Sequence, residues 1–210
     1  MDEGKILLIK LSKGAIGDLN TQLLGLVLVA RIQMAAMSRV DIQEAKRKDF
    51  YLYVDEFQNF ATDSFCSILS EARKYHLGLI MAHQYINQLV VSKFGTTSTQ
   101  IRDAVFGNVG TMMSFKIGAE DGEYMAKEYA PLLTEQDIIG IANYKAYIKL
   151  NIQNSTTRPF SLETVWDETG KNDKVAEILK QYSRMKYGRK REFVDQEIEA
   201  RIGIDVSGAE

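Results

Sequence analysis

The sequence predicts an α/β domain in which helices cover a mostly parallel sheet, followed by a charged helical tail. Short apolar runs of strand length alternate with segments of helical periodicity, which is typical of parallel strands joined by helices. From about Thr169 the chain becomes highly charged and keeps only a thin apolar stripe. We therefore expect a layered core at 1–168 and a helical tail at 169–210. A chain that is 45% apolar and 26% charged is globular in composition.

The sequence of the first half of the core, residues 5–82, predicts three strands separated by two helices. The apolar run KILLIKL at 5–11 has the length of a buried strand. A helix follows from 18 to about 38 and is apolar on nearly every side, which indicates deep burial or contact with a neighbouring subunit. The second strand is expected at 50–54. A helix then runs to about Tyr75, and a third strand ends at Ala82.

The second half continues the alternation. STQIRDAVFGN predicts a short helix closed by Gly107, and VGTMMSFKIG predicts a strand. The acids of AEDGEYMAKEY stand in the first turn of a helix, where the helix dipole favours negative charge. Thr134 and Asp137 have the spacing of a capping box. YKAYIKLNIQ alternates with a period of two, which predicts a strand with one wet face near a sheet edge.

Charge and composition limit the classes of function. A net charge of −2 gives no global attraction to nucleic acid or to an anionic membrane. The single cysteine, Cys66, cannot form an internal disulfide, and no signal peptide is visible. The longest apolar stretch, 23–30, is too short to span a bilayer. We therefore expect a cytoplasmic chain without a transmembrane segment.

Two adjacent carboxylates, Asp55 and Glu56, follow the strand FYLYV directly. In parallel sheets, ligands bind beyond the carboxyl ends of the strands, so both side chains are expected in the ligand crevice. One carboxylate can hold Mg²⁺ and the other can activate a water molecule, which is the Walker B arrangement of nucleotide hydrolases. A polar turn that contains two acids by coincidence is the alternative, and the motif alone gives the two interpretations about equal weight.

Two further side chains favour the hydrolase interpretation. Gln84 follows the next predicted strand, so its amide is expected on the same rim of the sheet as Asp55 and Glu56. Arg73 stands near the end of the intervening helix, where an arginine can stabilise charge on a transferring phosphoryl group, and its guanidinium is expected to converge on the same rim. Taken alone, Arg73 is also explained as a solvated cation at a helix end.

The chain resembles the carboxyl-terminal half of the conjugative DNA-transfer ATPases in four segments: KILLIKLSKGAIGDLNTQLLGLVLVARI, FYLYVDEFQNF, SILSEARKYHLGLIMAHQY and IRDAVFGNVGTMMSFKIGAEDGEYMAKEYAP. These are the type IV secretion coupling proteins and their relatives among the HerA/FtsK-like hexameric translocases. The resemblance covers roughly residues 5–160. It implies a partial RecA-like core of the P-loop NTPase superfamily, a homo-hexameric ring, ATP and Mg²⁺ as cofactors, DNA as cargo, and secretion-channel partners at the membrane.

The resemblance also implies roles for individual residues. Asp55 would assist Mg²⁺, Glu56 would activate water, and Gln84 would sense the γ-phosphate. Arg73 would act in trans on the site of a neighbouring subunit. Arg102 would lie at the subunit interface.

The sequence departs from that family in one respect: it contains no G-x-x-x-x-G-K-[ST] loop. That loop supplies most of the grip on the β- and γ-phosphates, so we expect this chain to be the Walker B half of a larger motor and to hydrolyse little ATP alone. One alternative is a non-catalytic interaction module that docks on a full-length ring. A further alternative is a DExH-type helicase fragment, although MAHQ stands where that class has a Ser-Ala-Thr-like segment.

The tail carries a basic cluster with interleaved tyrosines. This pattern suits phosphate contacts combined with base stacking, so the cluster is a candidate nucleic-acid site. The alternative is a solvated charged helix, because acids return immediately afterwards. The candidate residues are Arg184, Lys186, Arg189, Lys190 and Arg191.

Overall fold

The computed structural model describes residues 1–61, 63–93 and 96–203, and it divides into two compact units. The amino-terminal unit is Met1–Thr164 and the carboxyl-terminal unit is Val165–Glu210. The sequence placed this boundary slightly later, at 168, because the highly charged composition begins only at about Thr169, after the apolar Val165 and Trp166.

Helices account for much of the described chain. Their bounds are α1 Lys13–Ile16, α2 Asp18–Met37, α3 Asp63–Glu71, α4 Gln100–Asn108, α5 Ala119–Tyr129, α6 Glu135–Ile139, α7 Asp173–Tyr187 and α8 Arg191–Ile202. The capping box predicted at the start of α6 is confirmed: the Thr134 hydroxyl accepts from the Asp137 N–H, and the Asp137 carboxylate accepts from the Thr134 N–H. The helix containing Gly107 runs one residue past it, to Asn108.

The strands are short. Their bounds are β1 Phe50–Val54, β2 Leu77–Met81, β3 Val91–Lys93, β4 Thr96–Ser98, β5 Met112–Ser114, β6 Lys145–Lys149, β7 Asn151–Ile152, β8 Ser155–Thr156 and β9 Phe160–Glu163. β1 and β2 pair in parallel, with Phe50 opposite Leu77 and Val54 opposite Met81. Both strands therefore end on the same side, which brings the residues that follow them together.

Most of the other pairing differs from the predicted mostly parallel sheet. Among the described strands, only β1 and β2 are parallel, whereas β5, β6 and β9 form an antiparallel sheet and the remaining pairs are antiparallel hairpins. The strand expected at a sheet edge, β6, is the central strand of its sheet. The alternation of apolar and polar residues does not show how many neighbours a strand has.

The predicted strand at 5–11 is not formed within the described residues. This run belongs to no helix or strand, with Ile6 88% and Leu8 84% exposed. An apolar run becomes a strand only where a neighbour supplies backbone hydrogen bonds. The run therefore has the composition of a strand without a pairing partner in this unit.

Helix α2 is largely uncovered. Only Thr21, Gly25 and Ala36 are buried in it. Within the 24-residue stretch Asp18–Asp41, an 18-residue window has a mean hydropathy of 1.5 and is 17% buried, and the stretch is long and apolar enough to cross a membrane. The sequence interpretation missed it because it counted only the uninterrupted apolar run 23–30. Length and composition alone do not make this helix a membrane span, so the absence of a transmembrane segment stays a prediction.

Two apolar clusters stabilise the amino-terminal unit. The larger one joins β1, β2, α3 and α4 around the fully buried Phe57. The smaller one packs Tyr129 and Met125 of α5 with Ile138 of α6. Tyr147 of β6 packs against this second cluster, so one face of the antiparallel sheet is covered by α5.

A buried arginine ties the start of β1 to α2. Arg39 is 1% exposed and pairs with the Asp2 carboxylate at 2.7 Å. Its other N–H groups donate to the carbonyl oxygens of Tyr75 and Lys48, the residues just before β2 and β1. The guanidinium thus holds together the amino-terminal ends of the two parallel strands.

Candidate functional site

Asp55 and Glu56 occupy the tight turn that follows β1. Asp55 is exposed, and one of its oxygens accepts from the Glu56 N–H at 2.9 Å. Glu56 has left-handed backbone angles, with φ 47° and ψ 46°. Left-handed backbone costs a non-glycine residue on the order of 1 kcal/mol, and such strain is concentrated at functional sites.

The Glu56 carboxylate is held from two sides. Its Oε2 accepts from the Asn59 side-chain amide at 3.2 Å, and its Oε1 accepts from Gln84 Nε2 at 3.4 Å. The sequence prediction that Gln84 shares the rim of the two carboxylates is confirmed at this contact. Parallel pairing of β1 with β2 is the cause, because the two loops leave the sheet side by side.

Backbone hydrogen bonds and packed aromatic side chains support this rim from below. The Phe57 N–H donates to the Ala82 carbonyl at 3.0 Å, and the Ala82 N–H donates to Val54 at 3.0 Å. The Phe57 ring packs on Phe65, and His83 lies edge-on to it with the ring centroids 5.9 Å apart. His83 is therefore a packing residue, and its burial lowers its pKa.

Sequence reasoning missed two side chains beside the carboxylates. Lys13 Nζ donates to Asn59 Oδ1 at 3.2 Å and forms an ion pair with Asp18 at the same distance. Asn59 thus links a cation to the Glu56 carboxylate. The available signal was the position of Asn59, three residues after Glu56, since that spacing faces the same side of a helical turn.

Gln58, in the same turn, has a buried Oε1 atom that accepts no hydrogen bond from the described residues. Buried polar atoms are nearly always paired, with protein or with water. The turn 55–59 therefore contains two carboxylates and, at Gln58, a buried amide oxygen without a hydrogen-bond donor among the described residues.

Arg73 does not lie on this rim, so the prediction that all four side chains converge there is wrong for the arginine. It lies in the turn Ala72–Tyr75, before β2 begins, whereas Gln84 follows the end of β2. Five strand residues at about 3.3 Å each separate the two by roughly 17 Å. Its guanidinium donates to Asn154 Oδ1 at 2.8 Å.

Arg102 is paired within its own chain. Its guanidinium contacts the Asp103 carboxylate at 3.0 Å and stacks over the Tyr124 ring, 5.5 Å from the ring centroid. A hydrogen bond from the Thr99 hydroxyl, together with the contact from Arg102, lowers the pKa of Asp103. The interface role of Arg102 stays a prediction.

In the carboxyl-terminal unit, acids of α8 pair with part of the basic cluster. Arg189 contacts Glu197 at 2.6 Å, and Arg191 contacts Asp195 at 3.2 Å. Lys186 lies over the Tyr182 ring and donates to its hydroxyl. These pairs reduce the positive charge that the cluster offers to phosphates. Arg184 and Lys190 form no ion pair with the described residues, and a nucleic-acid role for the cluster stays a prediction.

The turn fits a magnesium ion only in part. Asp55 offers one free carboxylate oxygen, which suits Mg²⁺ held through its water shell. Among the described residues no group of three or more His, Cys, Asp or Glu side chains is placed to hold a metal by itself. A hydrolase of this design takes its remaining metal ligands from the nucleotide and the phosphate loop.

The chain matches a known protein-family model. A family model described as the TraM recognition site of TraD and TraG matches residues 49–158, which include β1, β2, the turn 55–59 and the antiparallel strands β5 and β6. Searches of the curated proteins and of the solved structures returned no match. Since the family model covers more than half of the chain, the chain belongs to the family of the TraM recognition site of TraD and TraG, a domain related to the coupling proteins of conjugative transfer.

Proposed function

We propose that this chain supplies the acidic half of an ATP-hydrolysis site in a DNA-translocating motor of conjugative transfer. The contact between the strained Glu56 and Gln84, on the rim that Asp55 shares, supports the proposal most directly. Two carboxylates and an amide at the ends of neighbouring parallel strands match the needs of metal-assisted phosphoryl transfer to water.

In this proposal each side chain has one task. Asp55 binds Mg²⁺ through water, and Glu56 accepts a proton from the attacking water. Asn59 orients the Glu56 carboxylate, and Gln84 contacts the γ-phosphate or the water. Lys13, which the Asn59 contact brings to this rim, can shift to a phosphate oxygen. The β- and γ-phosphates need a glycine-rich loop from another segment of the motor.

The position of Arg73 is compatible with action on a neighbouring subunit. It lies at the opposite end of β2 from Gln84, so it does not serve the rim of its own chain. In a ring, residues at one end of a subunit's sheet can meet the opposite end of the next subunit's sheet. A homo-hexamer with DNA in its channel, with Arg102 at the interface, is part of the proposal.

ATP turnover tests the proposal when the chain is joined to the phosphate-loop segment of a coupling protein. We expect Mg²⁺-dependent turnover, and we expect Glu56→Gln to reduce kcat at least about a hundredfold while ATP binding is kept. Glu123→Gln, an exposed acid on α5, is the control and should leave turnover unchanged. Equal turnover in the Glu56→Gln and Glu123→Gln variants would exclude the role of Glu56.

A second candidate is a non-catalytic module that recognises a TraM-type protein and docks on a full-length ring. The family match over 49–158 favours it. Titration calorimetry of this chain with a TraM protein, without nucleotide, tests it directly. Binding that Glu56→Gln leaves intact would assign recognition to a surface other than the turn 55–59. Absence of binding would exclude this module function for a TraM protein.

A further inference from the structure

The Gln84 side chain is held only weakly by its own contact on the rim. Gln84 is exposed, and its hydrogen bond to Glu56, at 3.4 Å, is long for an amide donor. Such a side chain takes its place mainly from the backbone that carries it. The anchors of the backbone on either side of Gln84 therefore decide whether its amide meets Glu56.

That backbone is fixed two residues before Gln84 and again two residues after it. Before it, Ala82 is bonded through its N–H and its carbonyl to the backbone of β1 and of the turn 55–59, at 3.0 Å each. After it, the Ile86 N–H donates to both carboxylate oxygens of Asp121, at 3.2 and 3.3 Å. The first anchor belongs to the parallel strands, whereas the second is a side chain of α5.

Asp121 and the Ile86 N–H satisfy each other in a buried place. Asp121 is 7% exposed and Ile86 is 6% exposed. A buried carboxylate is costly unless it is hydrogen-bonded, and Asp121 forms no ion pair within the part of the chain that the structure describes. Ile86 begins the helical turn Ile86–Leu89, in which the first N–H groups have no partner of their own. Loss of the carboxylate would thus leave a buried donor unpaired.

α5 makes two further contacts with the segment around Gln84. Glu120, the neighbour of Asp121, accepts from the Asn87 side-chain amide at 2.9 Å. The Asp121 carboxylate also lies close enough to the His83 ring to oppose the lowering of the His83 pKa by burial. The two acids of α5 therefore act on the chain on both sides of Gln84.

The turn Ile86–Leu89 also joins the two apolar clusters. Ile86 packs with Met125 and Tyr129 of α5 in the smaller cluster, whereas Leu89 belongs to the larger cluster beneath the rim. The chain that leaves the rim at Gln84 is thus tied at once to α5. The alignment of the rim consequently depends on a helix that contributes no side chain to it.

We propose that Asp121 is a positioning residue for Gln84. By accepting from the Ile86 N–H, Asp121 fixes the path of the chain after β2 and keeps the Gln84 amide within reach of Glu56. Asp121 contacts neither the nucleotide nor the attacking water and acts only through the backbone. Its effect on turnover rests on the hydrolysis proposed for Glu56, whereas its effect on the position of Gln84 does not.

NMR of the isotope-labelled full chain, without nucleotide, tests the positioning. In the unchanged chain, Glu56→Gln should shift the side-chain amide resonances of Gln84, because the charge beside that amide is removed. In Asp121→Ala this response should fall at least about twofold, because the amide then spends much of its time away from residue 56. Exchange of the Ile86 amide with solvent should become at least about tenfold faster.

Matched variants separate the hydrogen bond from other effects. Asp121→Asn keeps an oxygen that can accept from Ile86, so it should retain most of the response. Glu123→Ala removes an exposed acid from the same helix and should respond like the unchanged chain. Should Asp121→Ala fail to fold, Asp121→Leu has nearly the shape of the carboxylate side chain, lacks an acceptor and carries the same expectation as Asp121→Ala.

Turnover by the chain joined to a phosphate-loop segment gives the functional readout. Asp121→Ala should lower kcat about tenfold at an unchanged KM for ATP, because misplacement of Gln84 affects the reaction and not the grip on the phosphates. Added to Gln84→Ala, the same substitution should cost nothing further, since Asp121 acts through Gln84. A joined chain without any turnover would refute the hydrolysis proposal and leave the NMR test of the positioning intact.

Three results would overturn the positioning role. One is an undiminished response of the Gln84 resonances to Glu56→Gln in a folded Asp121→Ala or Asp121→Leu chain. Another is the same loss of response in Asp121→Asn as in Asp121→Ala, since the hydrogen bond would then not be the cause. The third is a full additional loss of kcat when Asp121→Ala is combined with Gln84→Ala, which would show that Asp121 acts independently of Gln84.

Discussion

Gln84 Nε2 donates to Glu56 Oε1 at 3.4 Å, although 28 residues of chain separate the two side chains. The contact exists because β1 and β2 are parallel and end together. Glu56 reaches it from a left-handed backbone. Glu56 therefore combines a carboxylate that makes this contact with an unfavourable backbone conformation. Measurements of unfolding free energy can separate the effect of the contact from the cost of the conformation.

Glu56→Gly should stabilise the amino-terminal unit by about 0.5–1 kcal/mol, because glycine adopts a positive φ without the steric cost. Urea denaturation measures the change. Asp55→Gly is the matched control, because Asp55 is not among the residues with positive φ and should lose stability as glycine. A larger loss in Glu56→Gly than in Asp55→Gly would mean that the carboxylate contacts outweigh the strain.

Gly25→Ala should destabilise the same unit by about 1–3 kcal/mol, because a Cβ at this position would lie 2.1 Å from the Phe60 ring. Thermal unfolding followed by circular dichroism reports the loss. Gly107→Ala is the control, since nothing lies within 4 Å of a Cβ there and the residue is helical. That substitution should raise stability by up to about 1 kcal/mol. The same shift in both variants would contradict the packing of α2 on Phe60.

Arg39→Met should cost about 3 kcal/mol, because it leaves the carbonyl oxygens of Tyr75 and Lys48 without their buried donor. Hydrogen exchange locates the effect, and the amides at the start of β1 and β2 should lose protection first. The same arginine lowers the pKa of Asp2. In the variant this pKa should return toward 3.8, which is measurable by carboxyl NMR titration. An unchanged Asp2 pKa would contradict the ion pair.

His83 should make the unit less stable in acid. Burial lowers its pKa below 6.5, with the Asp121 carboxylate opposing part of the shift. The unfolded chain therefore takes up a proton at higher pH than the folded chain. The stability that depends on a neutral His83 is fully present above pH 6.5. It is lost as the pH falls through the folded-state pKa of His83, by at most about 1.4 kcal/mol per pH unit.

Denaturation at pH 7.5 and at pH 5.5 measures this dependence. His83→Phe keeps a ring against Phe57 and removes the titrating group, so it should lose less stability between the two values than the unchanged chain. An equal loss in both proteins would assign the acid sensitivity to other groups.

The sequence predicted the local features of the candidate site well. β1, β2 and the meeting of Gln84 with Glu56 follow from two apolar runs and the rule that parallel strands end together. The position of Arg73 was wrong because a residue at the end of a helix before a parallel strand lies at the opposite end of the sheet from residues after that strand. Lys13 was missed because its contact with Asn59 spans 46 residues.

Long-range pairing was harder to predict than the elements themselves. The alternation in β6 is real, but the face with Tyr147 and Lys149, expected to be wet, is covered by α5. Lys149 forms an ion pair with Glu128 at 3.1 Å. This lysine therefore marks a contact with α5 and not a solvent-exposed face. Antiparallel pairing of β5 with β6 depends on contacts across 33 residues or more, and no local pattern encodes them.

The uncovered side of α2 has a practical consequence for anyone who purifies this protein. Leu19, Leu23 and Met34 are each more than half exposed, so a detergent micelle and water are competing solvents for the same helix. Detergent bound to this helix would add to the mass measured in detergent, and association of two copies through it would add to the mass measured without detergent. The protein should therefore be measured both with and without detergent before the number of copies in the particle is assigned.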